Sequence, residues 1–417
     1  MTQSVLGGIS LGYQLEWNQL RQICGVELFI ESDPAHAPDA AHLLRALGEL
    51  WSEQAPILTL SIKSPKLLAD VVQHGAADGP WIEVHDRLLA DPSVDQLLHQ
   101  AHARGLKLIW RGEPGTRVSA ALAASFHKQV IGLTADEALV GVRASLQKHN
   151  GSPRAEAARA GSPVLAEQIY EGVASRVLTE HCLDEQGAWA VLGWPMEDVL
   201  HGYRHQLIQP SHRAIVRLVE AADADESMET IEHFLSEEPI LAYRFLRYAD
   251  AEAVELRSEI DSLRQGLMVL GYSRLKNWLL EQLPHATSDL NLHPIRSAMV
   301  IRARLMEHLL DAGDEDKLRR EVYLCGLLSQ IDLLLGEPLA ASLQRLPLPE
   351  RVTAAILQNA GAYAPYLELA AALETADTRA SAALCALHDL SLEQVNRALL
   401  RTLCMAQPHP ARGLLLV

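Results

Sequence analysis

Glu83, His85 and Asp86 are close neighbours in the chain, and their side chains are of the types that bind metal ions. The run Trp81 to Val84 is strand-like, and alternate residues of a strand face opposite sides of a sheet. Glu83 and His85 would therefore share one face, whereas Asp86 would lie beyond the strand. This pattern favours a position on the surface or rim of a domain over a metal site.

Other residue patterns with catalytic potential are incomplete. His201 and His205 are four residues apart but lack the H-E-x-x-H pattern of a helical zinc site, so we interpret them as solvated residues near a domain junction. His308 fits a helix face. The sequence contains no P-loop or G-x-G-x-x-G pattern, and residues 112–115 are predicted to form a turn rather than a phosphate-binding loop.

The cysteine pattern excludes two further kinds of site. The five cysteines are far apart, and neither a C-x-x-C pair nor a disulfide framework fits them. We predict that they are buried free thiols. They are Cys24, Cys182, Cys325, Cys385 and Cys404.

The composition is that of an acidic globular protein with room for two or three domains in 417 residues. Its 36 basic and 53 acidic residues give a net charge of −17, and this charge disfavours binding to nucleic-acid phosphates. No segment approaches the roughly 20 apolar residues of a membrane helix. Residues 1–13 lack the basic and apolar parts of a signal peptide. We therefore expect a cytoplasmic protein without a membrane partner.

Residues 1–205 alternate between strand-like and helix-like segments. The strand-like runs are 56–62, 81–84, 106–110 and 129–133, and the helix-like segments include 40–53, 93–104 and 136–148. This alternation predicts a parallel sheet with crossover helices, in a barrel-like α/β domain that is either complete or incomplete. Residues 150–162, rich in Gly, Ala and Ser, are predicted to form a flexible loop inside this domain.

Residues 206–406 show helical periodicity only. Ile215, Leu218, Val219 and Ala222 recur at the spacing of one helix face, and similar sets follow. Pro and Gly fall between the segments, and Glu238-Pro239 places a proline where it can begin a helix. We predict an all-helical domain of about ten helices here. A frayed tail is predicted at residues 407–417.

Three stretches of the second half resemble the HDOD family. Residues 238–250 (EPILAYRFLRYAD) are similar to its D-P-x-L-x-x-x-L-L-x-x-A-N helix, and residues 259–271 (EIDSLRQGLMVLG) to I-x-S-L-x-x-A-[IV]-x-x-L-G. Residues 322–332 (VYLCGLLSQID) resemble the helix in which HD-type domains place a His-Asp metal pair. Ser329 and Gln330 stand at the matching positions, and Asp332 would face another side of that helix. The resemblance implies an all-helical HDOD domain without catalysis.

The first half resembles an EAL domain in the order of several short pieces. Residues 25–30 (GVELFI) are similar to the strand with the E-[AL]-L motif, which matches its Glu to Glu27. Residues 82–86 (IEVHD) match a second ligand to Glu83. Residues 164–169 (VLAEQI) resemble the l-l-A-E-x-V piece, which matches its Glu to Glu167. The resemblance implies a degenerate EAL-type barrel ahead of the HDOD domain.

Other metal-binding residues of the EAL family are replaced. Residues 60–65 (LSIKSP) put Ser61 or Ile62 in the place of an Asn, and residues 105–114 (GLKLIWRGEP) put Arg111 and Gly112 in the places of two Asp. EAL domains hydrolyse cyclic-di-GMP with two divalent cations, which lower the pKa of the attacking water. Because too few oxygen ligands remain and Arg111 adds a positive charge, we expect no catalytic, metal-binding or cofactor-binding residues.

The two resemblances together imply a non-enzymatic bacterial signalling protein linked to cyclic-di-GMP, motility and attachment. The first half would be a scaffold or dimerisation surface, and the helical half would bind a histidine kinase, a response regulator or a diguanylate cyclase. One alternative is a sensor that binds a cyclic dinucleotide without hydrolysis. Another is a residual metal-dependent phosphodiesterase using the remaining glutamates. Trp278 is interpreted as a core residue rather than a partner-facing one.

Overall fold

The computed structural model describes residues 4–32, 38–89, 92–120, 122–148, 161–256, 260–310 and 315–406. The chain forms two compact units, one made of Met1–Pro195 with Ala372–Val417 and the other of Met196–Ala371. Most of the loop predicted at 150–162 and the whole tail predicted at 407–417 lie outside the described residues.

The first unit is built on a closed barrel of eight strands that follow one another in chain order. They are β1 (Ile9–Trp17), β2 (Ile23–Ser32), β3 (Ile57–Ile62), β4 (Trp81–His85), β5 (Leu108–Arg111), β6 (Lys128–Gly132), β7 (Ile169–Glu171) and β8 (Ala190–Leu192). β1 is antiparallel to β2 and β8, and all other neighbours are parallel. The predicted α/β barrel is confirmed, and it is complete.

The first two strands form a hairpin that the alternating pattern does not predict. Between them, Asn18 Oδ1 accepts hydrogen bonds from the backbone N–H groups of Leu20 and Gln22, and Arg21 adopts a φ of 57°. The turn is thus stabilised by a local side chain, as is common for Asn. Since β1 reaches β2 without a helix, it lies outside the strand–helix alternation that marks the other strands.

Helices of the first unit follow its parallel strands. They are α1 (Ala40–Leu50), α2 (Pro65–His74), α3 (Pro92–Ala103), α4 (Ala135–Lys148) and α5 (Arg176–Glu180), and α5 continues into one π-helical turn at His181–Glu185. Asp39 and Ser64 precede α1 and α2, and the side chain of each accepts a hydrogen bond from the third backbone N–H group of its helix. Pro65 follows at the first helical position, where its missing N–H costs nothing.

The second unit is all-helical in its described residues, as predicted. Its helices are α6 (Met196–His201), α7 (His212–Asp223), α8 (Met228–Ser236), α9 (Pro239–Leu256), α10 (Leu263–Gln282), α11 (His293–Leu309), α12 (Asp316–Leu328), α13 (Ile331–Leu335), α14 (Leu339–Leu343), α15 (Glu350–Gln358) and α16 (Ala364–Leu373). α9 begins at Pro239, and the Glu238 carboxylate accepts a hydrogen bond from Leu241 N at 2.6 Å. No described helix is long and apolar enough to cross a membrane.

Trp278 lies in the core of the second unit, which agrees with its interpretation as a core residue. It is 5% exposed, packs edge-on against Phe245 and stacks on Tyr248 at 5.6 Å between ring centroids. α10, which carries Trp278, changes direction at Gly271, where φ is 70°. A left-handed φ of this kind is accessible to glycine without strain.

Two C-terminal helices belong to the barrel unit and not to the helical one. They are α17 (Thr378–Leu387) and α18 (Leu392–Cys404). Ser381 Oγ donates to Leu11 O at 3.2 Å, and Asn396 Nδ2 donates to Leu6 O and Ile9 O at 2.8 Å each. The units therefore differ from the predicted domains 1–205 and 206–406, because helical periodicity shows which helix face is buried but not which core buries it.

The fully buried Asn396 side chain should be a stabilising contact between α18 and the backbone at and just before the start of β1. Asn396→Ala removes both hydrogen bonds and should lower the free energy of unfolding by about 2 kcal/mol, since buried acceptors lose their donors. Urea unfolding measures this change. Gln394→Ala, on the exposed side of α18, is the control and should change stability by less than about 0.5 kcal/mol. Equal effects of the two variants would contradict the assigned role of Asn396.

Candidate functional site

A cluster of charged side chains crosses the interior of the barrel. Arg111 on β5 donates through Nη2 to Glu27 Oε2 on β2 at 2.8 Å, and its Nε lies 3.0 Å from Glu83 Oε2 on β4. Arg111 Nη2 also lies 3.6 Å from Glu171 Oε2 on β7. Since β2 and β5 are not neighbours, their contact must pass through the barrel. We name Glu27, Ser61, Glu83, Arg111 and Glu171 the Arg111 cluster.

Strand geometry explains why these side chains meet. Glu83, Arg111 and Glu171 lie at or near the carboxyl ends of parallel strands, which share one end of a barrel. Ser61 Oγ on β3 donates to Glu83 Oε1 at 2.7 Å, and His85 Nε2 lies 3.2 Å from the same oxygen. His85 is half-exposed at the end of β4, so the rim position predicted for it agrees with the structure. The same prediction is wrong for Glu83, which is buried in the barrel at 1% exposure.

The electrostatics of the cluster separate its two most buried carboxyl groups. Burial and the neighbouring Glu83 raise the pKa of Glu27 well above its usual range. Burial would also raise the pKa of Glu83, but Arg111 and His85 outweigh it and hold that pKa at about 2. The pKa of Arg111 is raised because its three carboxylate neighbours outweigh burial. Glu83 is thus the ionised partner of Arg111, and Glu27 keeps its proton to higher pH.

Glu16 is a further buried carboxyl on β1. Burial raises its pKa to about 8, Glu83 adds to the effect and Arg111 opposes it. Its carboxyl group lies over Gly25 of β2, where a Cβ atom would stand 2.1 Å from Glu16 Oε2. A glycine at this position therefore leaves room for an acidic side chain within the barrel.

The structure brings together four of the residues predicted for this site. Glu27, Ser61, Glu83 and Arg111 are in contact, and Ser61 rather than its neighbour Ile62 reaches Glu83.

The glycine at position 112 is explained by the lack of space for a side chain. A Cβ atom there would lie 2.3 Å from both Thr116 Oγ1 and the Trp110 ring.

Glu167, which the sequence comparison matched to a third ligand glutamate, does not lie in the Arg111 cluster. Glu167 precedes β7, has a φ of 61°, and its side chain is 77% exposed, 3.5 Å from Lys128 Nζ. Glu171, which sequence reasoning missed, reaches Arg111 instead. The alternation of β7 was the available signal, because Ile169 packs in the interior cluster and Glu171 lies two residues later on the same face.

The comparisons with known proteins concern both halves of the chain. Residues 208–346 match the family described as the HDOD domain. The chain contains an HDOD domain. This result confirms the resemblance seen in residues 238–271 and 322–332. For the first half, the EAL resemblance predicted a barrel, and the structure contains one.

Two curated relatives and one solved structure illustrate the similarity. The "Cyclic di-GMP phosphodiesterase CdgJ" of Vibrio cholerae is 22% identical over 198 residues, 47% of this chain and 46% of that protein. The "Uncharacterized protein YuxH" of Bacillus subtilis is 27% identical over 165 residues, 38% of this chain and 39% of that protein. The chain therefore matches less than half the length of either relative. The EAL enzyme Bd1971 in its cGMP-bound form has a TM-score of 0.30 and 14% identity, over 45% of this chain and 60% of that chain.

The HD-type positions of the HDOD domain lie at a break between two helices. α12 ends at Leu328, Ser329 Oγ donates to Gly326 O at 2.8 Å, and α13 begins at Ile331. The prediction that Asp332 shares a helix with Ser329 is therefore wrong, because the chain turns between them. In the described ranges, no three His, Cys, Asp or Glu side chains form a group that could hold a metal ion.

The remaining predicted residues lie apart from the Arg111 cluster. His201 and His205 are exposed and contact Arg204, as expected for solvated side chains. All five cysteines are free thiols, but burial was predicted correctly for only three of them, since Cys24 and Cys404 are half-buried.

Glu16 should make the stability of the barrel depend on pH. Between its ordinary pKa of 4.5 and its native value of about 8, the native state holds a proton that the unfolded state has lost. This contribution is fully present below the lower value and is lost as pH rises, at about 1.4 kcal/mol per pH unit. Glu16→Gln should remove that slope in urea unfolding between about pH 5 and about pH 8. A profile for Glu16→Gln that runs parallel to that of the wild type would refute the assignment, and the exposed Glu49→Gln on α1 is the control.

Arg111 should be essential for the stability of the cluster. Arg111→Met leaves Glu27 and Glu83 without their cation and should lower the free energy of unfolding by about 3 kcal/mol at neutral pH. The double variant Arg111→Met, Glu83→Gln should recover part of this loss, because it also removes the uncompensated charge. The test is chemical unfolding of the wild type, Arg111→Met, Glu83→Gln and the double variant. Strictly additive losses would mean that the two side chains are not coupled.

Proposed function

We propose that this chain is a signalling protein in a cyclic-di-GMP-linked pathway of the cytoplasm, with no phosphodiesterase activity in the barrel and no HD-type hydrolase activity in the helical domain. The barrel serves as a scaffold, and the HDOD domain binds another signalling protein, such as a histidine kinase, a response regulator or a diguanylate cyclase. The observation that carries most weight is the position of Arg111. Its guanidinium lies within ion-pair distance of Glu27, Glu83 and Glu171.

Charge is the physical reason why Arg111 opposes metal-dependent hydrolysis. A divalent cation held by these carboxylates would lie beside a guanidinium that stays protonated. The repulsion between them is about 8 kcal/mol at a distance of about 4 Å and an effective dielectric constant of about 20. The same carboxylates cannot neutralise Arg111 and also hold a metal ion, which is the group that would lower the pKa of an attacking water. The cation needed in the barrel is thus supplied by the chain itself.

The HDOD domain supports the proposal through its own substitutions. Ser329 hydrogen-bonds to Gly326 O and accepts a long contact of 3.5 Å from Arg302 Nη1. A hydroxyl engaged in this way is a weak metal ligand compared with imidazole or carboxylate. This domain therefore has the character of a binding module.

A second candidate function is a sensor that binds a cyclic dinucleotide without cleaving it. The ion pair between Arg111 and the partly exposed Glu171 favours this sensor function, because its distance of 3.6 Å is long. A phosphate could displace Glu171 and take the guanidinium as its partner. The ionised Glu83 of the cluster repels a phosphate diester, so we prefer the scaffold. The name of CdgJ connects that relative with cyclic di-GMP, and this connection motivates the choice of ligand.

The test combines turnover and binding on the full chain. With cyclic-di-GMP and either Mg²⁺ or Mn²⁺, we expect no linear product above background, because Arg111 occupies the position that a cation would need. An active EAL enzyme is the positive control. Calorimetry with the same nucleotide should show no binding at micromolar concentrations.

Two results would contradict the scaffold. Metal-dependent turnover that Glu83→Gln abolishes would establish a residual phosphodiesterase. Micromolar binding that Arg111→Met abolishes, with Arg117→Met as a control on the same unit, would establish the sensor. Arg117 pairs with Glu137 at 3.1 Å outside the Arg111 cluster, so its loss tests only general effects of charge.

A further inference from the structure

A chain of hydrogen bonds joins Ser162, His181 and Glu185 in the barrel unit, away from the Arg111 cluster. Ser162 Oγ lies 2.9 Å from His181 Nε2, and His181 Nδ1 lies 2.9 Å from Glu185 Oε2. The other carboxylate oxygen, Glu185 Oε1, accepts a hydrogen bond of 3.0 Å from Ser145 Oγ on α4. A hydroxyl, an imidazole and a carboxylate in this order are the groups of an acyl-transfer triad, which is recognised by geometry and not by sequence order.

Local structure positions the imidazole and the carboxylate. His181 and Glu185 are the first and last residues of the π-helical turn that follows α5. Such turns are rare and occur frequently at functional sites. α4 passes close to the imidazole at Gly141, where a Cβ atom would lie 3.2 Å from His181 Cδ2. Leu178 and Cys182, which precede and follow His181 in the chain, belong to a buried apolar cluster, and His181 itself is fully buried.

The hydrogen-bond partners determine which nitrogen carries the proton. An ionised carboxylate only accepts hydrogen bonds, so in the neutral imidazole His181 Nδ1 donates to Glu185. His181 Nε2 is then the acceptor for the Ser162 hydroxyl. Ser162 Oγ itself accepts a hydrogen bond from Val164 N at 3.2 Å. A base on its proton and a donor on its oxygen both favour the alkoxide form of Ser162.

Exposure distinguishes the three residues in the way that a nucleophile requires. His181 is 0% exposed and the Glu185 side chain is 6% exposed, whereas Ser162 is partly exposed. The reacting end of the chain therefore meets solvent, and the base and its partner are shielded from it. Ser145 is a natural comparison, because it is buried and its hydroxyl donates to the same carboxylate rather than to the imidazole.

We propose that Ser162 is a nucleophile activated by His181, with Glu185 as the positioning residue, and that it takes an acyl group from a carboxylic ester. Ser162 Oγ would form a bond to the carbonyl carbon while its proton moves to His181 Nε2. The carbon–oxygen bond to the alcohol then breaks, and the alcohol leaves with that proton. Water attacks the acyl-serine with His181 again as base, which releases the acid and restores Ser162. This site is independent of the Arg111 cluster and of the proposed signalling function.

Labelling with a serine-directed fluorophosphonate tests the proposal on the full chain. Intact mass and peptide mapping should show one adduct, on Ser162, which Ser162→Ala removes and Ser145→Ala leaves in place. His181→Gln should slow labelling by about 100-fold or more, as expected for loss of a general base. The same preparations should release p-nitrophenolate from p-nitrophenyl acetate, and Ser162→Ala should abolish this release.

Three outcomes would overturn the proposal. They are no adduct on Ser162 in the folded wild type, an equal labelling rate in folded His181→Gln, and equal labelling after unfolding in urea. If His181→Gln does not fold, the pH profile of the wild type decides. The labelling rate must rise with the deprotonation of one group and then level off, and a rate independent of pH would show that the three residues are only structural.

Discussion

The pairing of Arg111 with buried carboxylates is the interaction on which the barrel interior depends. A closed barrel directs every second side chain of each strand inward, and charges placed there lose their hydration. Glu27, Glu83 and Glu171 come from three different strands, and a single guanidinium contacts all of them. The five donors of arginine form a planar fork, which suits several carboxylates better than a lysine ammonium would.

This pairing also sets the protonation of the surrounding groups. One positive charge cannot neutralise three carboxylates at full ionisation, so the pKa values of the most buried groups must separate. Glu83 takes the ionised role, and Glu27 and Glu16 are shifted towards the protonated form. The interior thereby approaches neutrality without a metal ion, and its polar character follows from the type of residue at position 111.

Sequence patterns predicted the barrel and much of this cluster. Glu27, Glu83 and Arg111 lie on strands whose sequences resemble EAL motifs in the same order. Their contact inside the barrel was therefore expected from the fold. Glu171 was missed because the motif match fixed on Glu167, and only the pleat of β7 decides which of the two faces inward. The position of α17 and α18 was not predictable either, since Ser381 and Asn396 find their partners in β1 and just before it, at the other end of the chain.

The two polar networks of the barrel unit differ in how they end, and this difference bears on what each can do. In the Arg111 cluster the guanidinium lies within ion-pair distance of Glu27, Glu83 and Glu171, so its groups contact one another. In the second network the carboxylate of Glu185 orients His181, and the imidazole ends on the Ser162 hydroxyl at the surface. A network that ends on a polarised hydroxyl can react with a molecule from solvent, whereas a closed ion cluster cannot do so without first breaking its own contacts. The proposed reactivity of Ser162 therefore depends on where its own network ends, and it is independent of the Arg111 cluster.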